Sequence, residues 1–112
     1  MTTESSAAAY DDAALRALAH PGRRRMLRLV WSAERTSTDL AEHTSMSRPS
    51  ASQHLRVLRD ANLVAVRVDG NRRWYRADRD RLARIRALVA GFWDDRLDAL
   101  QAAAEEETQR RG

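Results

Sequence analysis

Cysteine is absent from this 112-residue chain. Its absence excludes disulfides and every metal site built on thiolate. Lysine is absent too, so arginine carries all the fixed positive charge. Only four glycines and two prolines occur, and no glycine-rich phosphate loop can be assembled from them. No apolar run approaches the ~20 residues of a membrane span, so no membrane partner is expected. The opening segment "MTTESSAAAY" has neither a basic n-region nor an apolar h-region. It does not read as a signal peptide, and the expectation is a cytoplasmic protein. The three histidines, His20, His43 and His54, fall in separate segments and form no triad. Asp94 and Asp95 are adjacent, so they project differently from a helix and are no evident catalytic pair. An enzyme is not expected, nor a cofactor or metal.

What is present is arginine, unevenly placed. Residues 20–76 hold 12 Arg against 5 acidic residues, whereas residues 77–112 hold 7 Arg against 8. Genomic base composition can explain the choice of Arg over Lys. It does not explain the concentration in the middle. A basic patch attracts polyanions such as nucleic acid. The length suits one domain, of a size that a partner often completes.

Residues 1–9 are small and polar and predict a disordered tail, leaving 10–112 as the folded domain. "YDDAALRALA" predicts a short helix with Leu15 and Leu18 turned inward. In "HPGRRRMLRLVWSA", Pro21 suits a first helical turn, and Met26, Leu27, Leu29 and Val30 supply a buried stripe. Arg23, Arg24 and Arg25 are consecutive and cannot share one face, so most are expected in solvent. Thr36 and Asp39 form a capping pair ahead of Leu40. A tight turn at "TSM" leads to Ser47, the expected cap of the next helix, with Pro49 in its first turn and Asn62 closing it. "LVAVRV" and "RRWYRA" flank the turn signal "DGN" and read as a hairpin. Trp74 and Tyr75 read as hairpin packing residues rather than base-stacking platforms. From Asp78 the chain is helical for about 30 residues.

The fold class is therefore mainly α with a small β-hairpin wing, in the order α-α-α-α-β-β-α. The third and fourth helices form a helix-turn-helix, whose second helix enters the major groove of double-stranded DNA. In that helix Ala51, Leu55 and Leu58 define the core face. Arg48, Pro49, Ser52, Gln53 and Arg56 fall in the opposite arc. Arg forks onto guanine, Gln onto adenine, and Ser meets several base edges. Arg59 lies at the rim, placed for a phosphate. The plain alternative is an ordinary solvated face. Arg67, Arg72, Arg73 and Arg76 surround the hairpin turn and can track the backbone or enter the minor groove. For each of these, strand alternation alone is the alternative. His54 reads as a packing or phosphate-contact residue rather than a metal ligand.

The segments "LAHPGRRRMLRLV" and "TDLAEHTSMSRPSASQHLRVLRDANLVAVRVDGNRRWYR" together resemble the winged helix-turn-helix repressors of the arsenical-resistance (ArsR) family. The resemblance covers roughly residues 13–77, with Asn62 where the family usually has glycine. It implies a homodimer that binds operator DNA, often at its own gene, with Arg48, Ser52 and Gln53 as recognition-helix positions. The family's metal signatures, a cysteine pair near "DLAEH" or Asp and His ligands along the last helix, are absent. The tail resembles a metal-independent branch.

The last helix repeats apolar residues at Leu82, Ile85, Leu88, Val89, Phe92, Trp93, Leu97 and Leu100. That stripe is long for one small domain. Part of it is expected to pair with a second copy, through Leu88, Phe92, Trp93 and Leu97, with Leu15 contributing. The expected function is sequence-specific transcriptional regulation, most simply autorepression at an inverted repeat. An activator, a sequence-tolerant architectural DNA-binding protein and a protein-interaction module are the alternatives. Operator, target genes and any small-molecule effector are not legible in the sequence.

Overall fold

The computed structural model describes residues 3–111, with side chains described from residue 9. The chain divides into two compact units, residues 1–82 and 83–112.

The first unit holds helices α1 (Thr3–Leu18) and α2 (Pro21–Leu29), strand β1 (Arg35–Thr36), helices α3 (Ser37–Thr44) and α4 (Arg48–Asp60), strands β2 (Val64–Asp69) and β3 (Arg72–Ala77), and the start of α5 (Arg79–Arg111). The expected order is present, with one addition. Arg35 and Thr36 pair with Tyr75 and Trp74, making a three-stranded antiparallel sheet in the order β1-β3-β2. Two residues carry no period, so β1 exists only because β3 lies alongside it. The first helix starts at Thr3 rather than Tyr10. Of the tail expected over 1–9, residues 1 and 2 lie outside the described residues, and residues 3–9 continue α1.

Met26, Val30, Leu40, Leu55, Leu58 and Leu63 are fully buried and form the core where α2, α3, α4 and β2 meet. Burial of each such side chain stabilises the fold by about 1.5–3 kcal/mol. In α1 the buried residues are Ala14 and Ala17, while Leu15 is exposed. Of the two leucines expected inward, Leu18 is half-buried and Leu15 lies one position out of phase. Leu29 is only partly buried beside Met26, Leu27 and Val30.

The helix ends follow local chemistry. His20 Nδ1 accepts from Gly22 N–H at 3.0 Å ahead of α2, and Thr36 Oγ1 accepts from Asp39 N–H at 3.2 Å ahead of α3. The Asp39 carboxylate does not complete a capping box. It takes a hydrogen bond from Arg35 Nη1 at 2.8 Å and sits 3.2 Å from His43 Nδ1. Helices α3 and α4 both end in left-handed residues, Ser45 at φ 56° and Asn62 at φ 60°. In each, the next residue's N–H reaches back over the turn, Met46 to the Ala41 carbonyl at 3.0 Å and Leu63 to the Leu58 carbonyl at 2.9 Å. This Schellman arrangement normally uses glycine. Of the arginine triplet, Arg24 and Arg25 are exposed, as expected, and Arg23 is half-buried. Arg23 donates to the Ala17 and Arg16 carbonyls at 2.7 and 3.1 Å, and Arg24 to that of Leu18 at 2.8 Å. Arg23 and Arg24 thus close the C-terminus of α1.

Candidate nucleic-acid interface

Ser47 starts α4 by accepting from Ser50 N–H at 3.2 Å, and Pro49 occupies the first turn. Ala51 and Leu55 are 1% exposed and Leu58 0%, so one face of the helix is sealed into the core. The opposite face presents Arg48, Pro49, Ser52, Gln53, Arg56 and Arg59, all exposed. At 1.5 Å per residue, the 13-residue helix is about 20 Å long, enough to lie along a groove.

The register of the wing sorts its arginines. Gly70, at φ 59°, is the first residue of the two-residue turn, where a hairpin needs a positive φ. Val64 pairs with Ala77, Val66 with Tyr75 and Val68 with Arg73. Tyr75 and Ala77 are buried, so Arg73 lies on the face turned toward the helices. Ser52, Arg56, Arg59 and Arg73 line one cleft of about 400 Å³. Arg67 and Trp74 pair on the opposite face, shared by alternation with Arg72 and Arg76.

Arg67 is committed elsewhere. Its Nε and Nη2 donate to Glu34 Oε2 at 3.0 and 2.8 Å, and its Cζ lies 5.6 Å from the Trp74 ring centroid. The hydrogen bond from Arg67, assisted by its charge and that of Arg76, holds the Glu34 carboxyl below its usual range. Of the four wing arginines grouped by sequence, the structure gathers Arg73 with the α4 face and ties Arg67 to β1's approach segment. Trp74 is half-buried and Tyr75 buried, as packing residues.

Ser37 was not singled out by sequence, yet it lines the cleft with Ser52 and Arg73. It also lines a second cleft of about 470 Å³ with Thr38, Asn71, Arg72 and Arg73. The available signal was its place directly after the Thr36 cap, where helix N–H groups are unpaired. His54 is a packing residue. Its ring stands 4.4 Å from that of His20, and Arg23 Nη1 reaches its Nδ1 at 3.4 Å. Among the described residues, no three His, Asp or Glu side chains are close enough to share a metal ion, and no helix is long and apolar enough to cross a membrane.

The second unit is the body of α5. Leu88, Phe92, Trp93, Leu97 and Leu100 are exposed along it, and Phe92 and Trp93 meet edge to face at 5.6 Å. Leu15, grouped with these residues by sequence, belongs to the first unit.

A model of bacterial regulatory proteins of the arsR family matches residues 20–66. The chain is 36% identical to a probable mercury resistance operon repressor of Streptomyces lividans, over 76% of this chain and 68% of the relative. The crystal structure of a possible transcriptional regulator for arsenical resistance is similar, at 50% identity and a TM-score of 0.68, over 79% of this chain and 92% of that one. The homodimeric winged helix-turn-helix DNA-binding domain of a possible ArsR-family regulator from Mycobacterium bovis aligns with a TM-score of 0.67 at 29% identity, over 85% of this chain and 88% of that one. Motif, register and likeness converge: the chain belongs to the arsR family of bacterial regulatory proteins, transcriptional regulators rather than enzymes.

Proposed function

We propose that the protein is a homodimeric repressor that binds an inverted-repeat operator. Helix α4 reads bases through Arg48, Ser52, Gln53 and Arg56. Arg59, Arg72 and Arg73 hold the phosphate backbone, and Ser37 offers it a helix start. The observation that carries this reading is the two-sidedness of α4. Its apolar face is sealed, while its outer face presents Arg48, Ser52, Gln53 and Arg56 to solvent and is continuous with Arg73 of the wing. A solvated helix face does not require a wing arginine beside it. Pairing of two copies through Leu88, Phe92, Trp93 and Leu97 would cover the exposed stripe and present two α4 helices to successive major grooves. The function is metal-independent in this reading, because no thiolate exists and the His20–His54 pair has no third ligand among the described residues. Mapping of genomic binding sites with the purified protein tests the reading. Footprints confined to short inverted repeats are expected. Salt-sensitive binding without sequence preference would establish an architectural protein instead, and no DNA binding would leave an interaction module.

A further inference from the structure

Three helices meet at a pair of imidazoles. His20 caps α2, and its Nδ1 accepts from Gly22 N–H at 3.0 Å. His54 sits on α4 between Gln53 of the outer face and Leu55 of the core. Its Nδ1 faces Arg23 Nη1 at 3.4 Å, and a guanidinium can only donate. The same Arg23 holds the Arg16 and Ala17 carbonyls of α1. The two rings are 4.4 Å apart. Both Nδ1 atoms therefore act as acceptors, which requires both rings to be neutral with the proton on Nε2.

We propose that His20 and His54 form a proton-operated latch that holds α4 against α1 and α2, and that acid opens it and weakens DNA binding. A proton on His20 removes the lone pair that caps α2. A proton on His54 sets an imidazolium against Arg23 and, 4.4 Å away, against a second imidazole. The titratable and charged groups bearing on His54 are His20 and Arg23, both from α2's side; α1 reaches the cluster through carbonyls bonded to Arg23. Burial first, then His20 and Arg23, push the His54 pKa below its ordinary 6.5. The neutral ring thus favours the folded state. Its stabilising contribution is complete above pH 6.5 and is lost as pH falls below it, because the unfolded chain takes up the proton first. Added positive charge alone would strengthen binding to a polyanion, so the predicted loss in acid is opposite to the bare electrostatic effect.

The consequence for DNA rests on the reading of α4 as the contacting helix; the latch itself can be measured without DNA. In the free protein, nitrogen shifts should show His20 and His54 as Nε2–H tautomers near pH 7.5, and α4 amides should be less protected, relative to their intrinsic exchange rates, near pH 5.5. A His54 ring protonated at Nδ1 at pH 7.5, or α4 protection that does not change with pH, overturns the latch. The DNA probe is a duplex selected by the protein from a random pool at pH 7.5. Its affinity for the natural chain should fall about tenfold between pH 7.5 and 5.5. His20→Asn with His54→Gln keeps an N-cap and an acceptor but cannot titrate, so its affinity should be nearly flat. His43→Gln should retain the fall. An equal fall in the double variant, or its loss in His43→Gln, refutes the proposal. An open latch in acid with undiminished binding would refute only its coupling to DNA.

Discussion

Arg67 donates twice to one carboxylate oxygen of Glu34, across 33 residues of sequence, and so leaves the set of free wing cations. Arg73, six residues on, has no such partner among the described contacts and lines the cleft beside Arg56. Arg73→Ala should weaken binding similarly across sequences and reduce the slope of log affinity against log salt by about one unit. Arg67→Ala should leave that slope unchanged. Binding isotherms over a series of salt concentrations separate the two. The Glu34 pair also has a pH signature. Its carboxyl is held below 4.5, so its contribution is present above that value and fades as pH falls below it. Glu34→Gln should flatten that part of the acid unfolding curve.

Gln53 stands on the exposed arc of α4, clear of the core. Gln53→Ala should cost roughly 1–3 kcal/mol of discrimination at one base pair in each half-site, with the fold intact. Affinities for operator variants substituted one position at a time give this directly. An unchanged base preference would mean that the helix is held in the groove by its arginines alone.

Ser45 and Asn62 hold the left-handed conformation without being glycine. An L side chain there costs roughly 1–2 kcal/mol, least for Asn. Ser45→Gly should therefore stabilise the protein by about 0.5–1 kcal/mol after the entropic cost of glycine. Asn62→Gly should gain less, and Asn62→Val should lose stability. Urea midpoints at constant m-value rank the three.

Phe92 and Trp93 are more than half exposed, at 54% and 58%. Replacing both with Gln should shift the protein toward monomer in sedimentation and weaken operator binding, because two linked half-sites bind far more tightly than one. A double variant that stays dimeric would move the interface elsewhere.

Micromolar Zn²⁺ should not release the protein from DNA, since the chain has no thiolate and its histidines are engaged or dispersed. A stoichiometric, DNA-releasing site in a titration would contradict the metal-independent reading.

Short-range chemistry was legible in the sequence. The caps at Thr36 and Ser47, the glycine of the hairpin turn, Asn62 at the close of α4 and the alternation of the wing each involve residues a few positions apart. The sealed face of α4 was legible for the same reason, because Ala51, Leu55 and Leu58 recur at the helical period. Period does not set phase to within one residue, however. In α1 the buried positions are Ala14 and Ala17, while Leu15, one residue along, is exposed. Contacts between distant segments carry no period at all. Only the folded chain pairs Thr36 with Trp74 to make β1, aims Arg23 and Arg24 at the end of α1, and brings His54 to His20. Sheet register then decided which wing arginine faces α4. One strand can alternate only two ways, and it is the burial of Tyr75 and Ala77 that assigned Arg73 to the helix side and left Arg67 to Glu34.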